Sequence, residues 1–305
     1  MPAWYLKAIP QKILSLLPGG EYLHRWTQRS ISRSLDINSF LLEDRLSHVT
    51  RHMTAWNKYG TDRPPVCLEI GTGWFPIVPL GMALCGAKTV FTTDVQTHTN
   101  DQAHRHLFQA VLECAEEGKL RTYLPDLQES RWELFKELYE CGKSTKYIFF
   151  ELNIQFKKSN KGQLPSTLPP IDLIHSNNTF EHIPLPHLSN LLPAHQEVLQ
   201  PDGLCSHYID LTDHYSYFDP SLSPYHFLRF STSAWRLIEN RFQSQNRLRV
   251  NEWRELCKEA GLDILEEDNE SGKQGELDQI RLHQQYASYP EKDLLVRYTH
   301  LIMKP

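Results

Sequence analysis

The hydrophobic positions of this chain change period once. Through the first sixty residues they recur at helical spacing: Phe40, Leu41, Leu42, Leu46, Val49, Met53 and Trp56 predict a helix from about Ser39 to Tyr59. Ahead of it, Trp4, Tyr5, Leu6, Ile13, Leu14, Leu16 and Leu17, then Tyr22, Leu23 and Trp26, predict further helix, divided at Pro18-Gly19-Gly20. Residues 62–65 punctuate the chain. Beyond them short apolar runs alternate with helical segments, the pattern of a parallel α/β sheet. Strands are predicted at 66–70, 89–94, 153–156, 171–175 and 204–211, with 147–150 a more apolar competitor for the third. Segments 262–265 and 294–303 close a seven-stranded, mostly parallel sheet, separated by a polar excursion. Helices are expected over 77–84, in a broken stretch from 100 to 152, over 188–199, and over 251–260 ending on Gly261. Pro201-Asp202-Gly203 reads as a turn. The expected organisation is an N-terminal helical extension or cap (1–62) and one domain (63–305), with an insertion rich in Tyr, Phe, His and Arg at about 212–250.

Composition narrows the classes. With 305 residues, 32 Lys+Arg against 37 Asp+Glu and 40 % hydrophobic residues, the chain falls in the ordinary globular range. The net charge of −5 offers nucleic acid no general attraction, and no basic stripe interleaved with aromatics appears beyond a short Arg-rich stretch at 241–249. No apolar run is long enough to cross a bilayer, and no signal peptide is recognisable. The six cysteines form no CxxC pair, so no zinc knuckle or disulfide framework is expected and a cytoplasmic setting is the simplest.

The candidate chemistry begins at VCLEIGTGWFP (66–76), where a buried strand turns into a helix through Gly71 and Gly73. Glycines let the backbone approach a ligand, and a helix start presents unpaired N–H groups. Asp94 follows Gly71 by 23 residues, at the end of the next strand, where a carboxylate can accept both hydroxyls of a ribose. Pro76 stands where a dinucleotide fingerprint needs its third glycine, and no Gly-Lys-Ser/Thr ending is present. Glu69 instead places an acid beside the loop, which repels pyrophosphate and suits an ammonium-bearing ligand such as S-adenosylmethionine.

With LEIGTGWFP (68–76), FTTDV (91–95), IDLIHSNNTFEHIP (171–184) and VLQPDGLCSHYIDLTDH (198–214) in order, the chain resembles the class I S-adenosylmethionine-dependent methyltransferase superfamily, bacterial small-molecule type, over about residues 64–265. The resemblance implies a doubly wound, Rossmann-like methyltransferase fold. It implies that Gly71, Thr72, Gly73 and Trp74 hold the methionine moiety with Glu69, that Asp94 holds the ribose, and that Val95 lies against the adenine. The turn Ser176–Asn178, with Asn177, would border the reactive sulfonium. An acid after the third strand often receives the adenine amino group in this superfamily; here the sequence is QFKKSNKG (155–162), leaving Asn160 as the candidate.

The acceptor is expected beyond the ends of strands four and five. Glu181, His182, His207, Asp210, Asp213 and His214 lie there. A histidine oriented by a carboxylate can deprotonate a hydroxyl, which nominates His214, Asp213 and His182 as catalytic residues. Asp213 is adjacent to His214 and cannot pair with it face to face, so Glu181 or Asp210 is the expected partner. His207, Asp210 and His214 carry metal-ligating atoms, but strand alternation separates His207 from Asp210 and no metal is expected. Asp210, with Arg229 and Arg247 from the aromatic insertion, would bind the substrate, the arginines through a carboxylate or phosphate. Structural ion pairing is the competing role for the arginines. WYLKAIPQKILSLL (4–17) would cap the acceptor site or lie on a membrane surface. The leading function is methyl transfer from S-adenosylmethionine to a small-molecule oxygen. Transfer or cyclisation of the aminocarboxypropyl arm, a non-catalytic interaction module, and nucleic-acid methylation are the alternatives. Oligomeric state is left open.

Overall fold

The computed structural model describes residues 3–17, 37–96, 101–240, 242 and 244–305. The helix expected around Tyr22, Leu23 and Trp26, and the break at 18–20, lie outside the described residues.

The strands are β1 (Val66–Ile70), β2 (Thr89–Asp94), β3 (Ile154–Lys158), β4 (Ile171–Asn177), β5 (Leu199–Asp210), β6 (Asp263–Ser271) and β7 (Val296–Lys304). They form one seven-stranded sheet in the order β3-β2-β1-β4-β5-β7-β6, parallel except where β7 runs against both β5 and β6. Alternating positions feed opposite faces. Cys67, Val90, Leu173, Leu204 and Ile302 join one buried cluster, while their neighbours Leu68, Phe91, Ile174, Cys205 and Leu301 join the other. A sheet covered on both sides needs near-continuous apolar strands, which is why β1 reads VCLEI rather than alternating.

α1 (Tyr5–Leu16) lies apart from the first face, which is covered by α2 (Ser39–Tyr59), α3 (Ile77–Leu84), α4 (Asp101–Glu116), α5 (Glu129–Glu140) and α6 (Thr145–Glu151). Asn38 caps α2 by accepting from the Leu41 N–H at 2.8 Å, and Leu42, Leu46, Val49, Met53 and Trp56 form its buried stripe. The second face carries α7 (Leu185–Val198) and α9 (Val250–Glu259); α8 (Thr232–Ile238) lies between them in the chain, within the insertion. A third cluster joins Tyr215, Tyr225, Phe227, Leu228 and Trp235 of the insertion to Ala8 of α1, with Leu277, Tyr286 and Leu294 of the excursion before β7. The aromatics of the insertion thus pack mostly against one another.

Three expectations shift. Residues 147–150 are helical, not a strand: Ser144 caps α6 by accepting from the Tyr147 N–H at 3.2 Å, and Ile148 and Phe149 are its buried side. Pro201-Asp202-Gly203 lies within β5, at a register irregularity between the Leu199 and Leu204 pairings, rather than in a turn before it. β6 runs on through a polar stretch to Ser271, because as an edge strand it needs only β7 for its ladder and its acids pair with Lys58, Arg51 and Arg254. No described helix is long and apolar enough to cross a membrane. All six cysteines are free thiols.

Candidate active site

The strand order reverses between β1 and β4, and an open α/β sheet binds its ligand at such a point beyond the strand ends. A cavity of about 450 Å³ lies there, lined by Glu69, the loop 71–75, Asp94, Asn177, Asn178, Thr179 and His182, with Leu41 and Arg45 of α2. A smaller one of about 180 Å³ continues past Thr72, Gly73, Trp74 and Asp94 to Gln96, His104, Phe156, Lys157 and Lys158.

Two glycines shape the loop in different ways. Gly71 has φ +91°, and a Cβ on it would lie 2.3 Å from Thr179 Oγ1, so the turns after β1 and β4 meet only because position 71 has no side chain. Gly73 has φ +66° and nothing within 4 Å of where its Cβ would be: the space over it is open to a ligand. The Gly71 and Thr72 N–H groups donate to Thr93 O, at 2.8 and 3.1 Å, tying the loop to the end of β2. Asp94 accepts from the Gly73 N–H at 2.9 Å and the Gln96 N–H at 3.0 Å, which fixes its carboxylate at the junction of the two cavities. Glu69 is buried and accepts from Thr92 Oγ1 at 2.6 Å. Burial raises its carboxyl to about 8 against the opposing hydrogen bond from Thr92, so the site holds an acid whose ionised form awaits a cation. An open backbone cradle, a buried acid and a carboxylate between two cavities fit S-adenosylmethionine.

On the acceptor side, His214 Nε2 lies 3.1 Å from Asp210 Oδ2, and the His214 N–H donates to Gln245 Oε1 at 3.0 Å. Of the two partners the sequence left open, Asp210 is the one in hydrogen-bond range. Asp210 also accepts from Tyr217 OH at 2.6 Å and from the Thr212 N–H and hydroxyl at 2.8 and 2.7 Å. Burial alone would raise its carboxyl, and the bonds from His214, Tyr217 and Thr212 more than offset that, holding it below the usual range. His182 packs edge-on against His214, ring centroids 4.9 Å apart, and is the member of the pair that lines the cavity.

Several nominated residues stand elsewhere. Asp213 is fully buried; it accepts from the Tyr215 N–H and pairs with His226 Nδ1 at 3.0 Å, turned away from His214. Arg247 is buried at φ +62° and donates to the carbonyls of Phe227 and Phe230, holding a turn of the insertion together. Arg229 is exposed beside Phe230. Val95 and Asn160 are exposed and line neither cavity; Gln96, His104 and Phe156 line the smaller one. His207 points to the α7 face, stacked on Phe180 at 4.2 Å, so it is separated from Asp210 as alternation requires.

Arg45 was not foreseen. It and Leu41 stand one helical turn apart on α2 and both line the larger cavity. The spacing was visible, but nothing local says that this stripe of α2 faces a cavity rather than solvent. α2, placed with the N-terminal extension by the sequence, packs into the same core as α3.

The family profile of a methyltransferase domain matches residues 46–267. The chain belongs to the methyltransferase domain family. It is a class I S-adenosylmethionine-dependent methyltransferase with a Rossmann-like sheet, and its cofactor is S-adenosylmethionine. No curated protein matches the chain. Among solved structures, this methyltransferase is similar to the CcbJ methyltransferase of Streptomyces caelestis (12% identity, 86% of this chain and 95% of that one, TM-score 0.46). It is similar also to an S-adenosylmethionine-dependent methyltransferase of Clostridium acetobutylicum (10%, 93% and 97%, TM-score 0.45). A third is a putative sarcosine dimethylglycine methyltransferase of Galdieria sulphuraria (12%, 85% and 84%, TM-score 0.44).

Proposed function

We propose that this methyltransferase modifies an oxygen nucleophile, a hydroxyl or carboxylate, on a small molecule. The observation that carries the reading is the His214–Asp210 pair, 3.1 Å apart, set behind His182 at the wall of the cavity. Asp210 keeps its charge and receives the His214 Nε2–H, which leaves Nδ1 as the lone-pair nitrogen and stabilises the imidazolium that follows proton uptake. Such a pair suits a hydroxyl, which must shed its proton as it attacks, whereas a neutral amine brings a free lone pair; a carboxylate, already ionised, would need only orientation. Asp210 is here a positioning residue; His214 and His182 are the candidate bases.

On the cofactor side, Glu69 would receive the ammonium of S-adenosylmethionine, Gly71, Thr72, Gly73 and Trp74 its methionine arm, and Asp94 the ribose hydroxyls. Asn177 borders the same space. Gln96 and His104 offer polar groups to the adenine in place of Asn160. When bound, the cofactor supplies an electrophilic methyl group, and the residues named here contribute positioning, exclusion of water and removal of the acceptor proton. Arg45 would hold a carboxylate of the cofactor or acceptor. Of the N-terminal extension, α2 would serve as a cap, with Leu41 and Arg45 on the cavity wall, while α1 and the residue before it brace the insertion: Trp4 packs on Tyr215 and His226, and Lys12 Nζ donates to the carbonyls of Arg236 and Glu239.

The test is product analysis. The protein is incubated with methyl-labelled S-adenosylmethionine and a panel of small phenols, alcohols, carboxylic acids and amines. Label in methyl ethers or esters with release of S-adenosylhomocysteine is expected. Label only in amines would overturn the oxygen reading, and methylthioadenosine as the product would overturn methyl transfer.

A further inference from the structure

Glu181 is the least explained side chain beside the cavity. It is 2 % exposed, and neither carboxylate oxygen has a hydrogen-bond partner. Buried carboxylates are ordinarily paired, hydrogen-bonded or bound to a metal, because an isolated buried charge is strongly disfavoured. Burial first, and the Asp210 charge second, push its carboxyl well above the usual range, as expected of an acid lacking a compensating cation.

Two imidazoles stand where such a cation would need them. His182 Nε2 is 3.9 Å from Glu181 Oε1, and ligating atoms of Glu181, His182 and His214 all lie within 4.8 Å of one another. Their tautomers suit ligation. His182 Nδ1–H donates to the Ser244 carbonyl at 2.7 Å, which leaves the Nε2 lone pair free beside the carboxylate. Orienting a histidine by bonding its far nitrogen to a carbonyl or carboxylate is the usual support of a metal ligand, and Asp210 gives His214 the same support. The other cluster of this kind among the described residues, His195, Cys205 and His207, is wholly buried and lines neither cavity.

We propose that Glu181, His182 and His214 bind one divalent first-row cation at the edge of the acceptor cavity, with Asp210 positioning His214. One carboxylate and two imidazoles suit Mn²⁺ through Zn²⁺, and three protein donors leave open positions for oxygen atoms of the acceptor. An ion there would draw an acceptor hydroxyl or carboxylate to the cavity wall and make a bound hydroxyl more acidic; with the ion in place His182 and His214 serve as its ligands in place of their role as bases, and the proton passes to water. What the ion is for rests on the oxygen-acceptor reading; whether it binds does not.

The test uses the full chain, stripped with chelator and titrated with Mn²⁺ followed by electron paramagnetic resonance, and with Co²⁺ followed by visible absorption, with no acceptor added. One ion per chain is expected. Glu181→Gln and His182→Gln should each weaken binding at least tenfold, while exposed His106→Gln leaves it unchanged. His182 is 40 % exposed, so its replacement threatens folding least; S-adenosylmethionine titration of each variant confirms that it is folded. No saturable binding up to millimolar metal, or wild-type affinity in both variants, overturns the proposal. If the ion binds as expected and only amines become methylated, the metal site stands and the oxygen reading fails. If chelator-treated protein binds no ion yet methylates oxygen, the metal proposal alone fails.

Discussion

On the proposed cofactor side of the cavity, Glu69, the glycine loop and Asp94 come from residues 69–94, the ends of two adjacent strands and the loop after the first; on the proposed acceptor side, Arg45, His182, the pair Asp210 and His214, and Gln245 come from four separate segments. The first half is largely made of backbone: Gly71 and Thr72 N–H groups bound to Thr93 O, and a Gly73 N–H bound to Asp94. The second half is made of side chains that orient one another. Geometry set by the main chain tolerates most substitutions except those that add a Cβ, whereas a side-chain network fails wherever one member is lost. The two halves should therefore respond differently to mutation, and each prediction below separates them.

The largest effect is expected on turnover. His214→Ala should lower kcat by about 10²- to 10⁴-fold, the range for loss of a positioned acid–base group, while S-adenosylmethionine binds as before. Rapid-quench assay of product alongside cofactor titration checks both. An unchanged rate would remove His214 from the machinery.

Next come the two glycines. Gly71→Ala would force a Cβ against Thr179 in a backbone conformation that disfavours it, with an expected loss of about 2–4 kcal/mol of stability. Gly73→Ala meets nothing, so its fold should lose only about 1 kcal/mol, from the positive φ, but its methyl group would stand in the ligand space and weaken cofactor binding. Urea denaturation and cofactor titration of the pair should give opposite orders of damage. Equal destabilisation would mean that the open space over Gly73 is not there.

A smaller, graded effect is expected from acid. Burial holds His195 and His300 near 4 and His175 near 3, against about 6.5 in an unfolded chain. Below about pH 6.5 the unfolded chain therefore binds protons that the fold does not, and stability falls as pH falls, by about 1.4 kcal/mol per pH unit for each histidine until its folded value is reached. Denaturation at pH 7.5 and 5.5 should show this loss, and a stability flat across that interval would place these histidines in contact with water.

The smallest signal is a proton. At pH 7 Glu69, raised to about 8, is mostly protonated, and an ammonium arriving beside it should release close to one proton. Calorimetry in buffers of different ionisation enthalpy measures that release, and Glu69→Gln should abolish it.

The contrast also explains what could be read in advance. The strand and helix order was legible from period alone, because β1, β2 and β4 are buried on both faces and α2 on one. The junction of Glu69, the glycine loop and Asp94 was legible because these parts lie close together in the sequence; that they hold the cofactor is the proposal above. β6 was curtailed to four residues because an edge strand carries no apolar demand, and the helix at 147–150 was disguised by Tyr147 and Phe150, apolar residues that point outward. The acceptor half was half legible. His214 and Asp210 were found from their place at the end of β5, but Asp213, adjacent in sequence, turned to His226, and Arg247 to the carbonyls of Phe227 and Phe230, earlier in the insertion. Arg45 could not be found, since only tertiary packing turns that stripe of α2 to the cavity.

The central claim is that the cofactor half stands on 69–94 independently of the acceptor half. Calorimetric titration of S-adenosylmethionine into wild type, Asp94→Ala and His214→Ala tests it most directly. Saturable binding to the wild type is expected, with weakening of about 10- to 100-fold in Asp94→Ala from loss of charge-assisted hydrogen bonds, and wild-type affinity in His214→Ala. Equal affinity for wild type and Asp94→Ala, or loss of binding in His214→Ala with the fold intact, would contradict it.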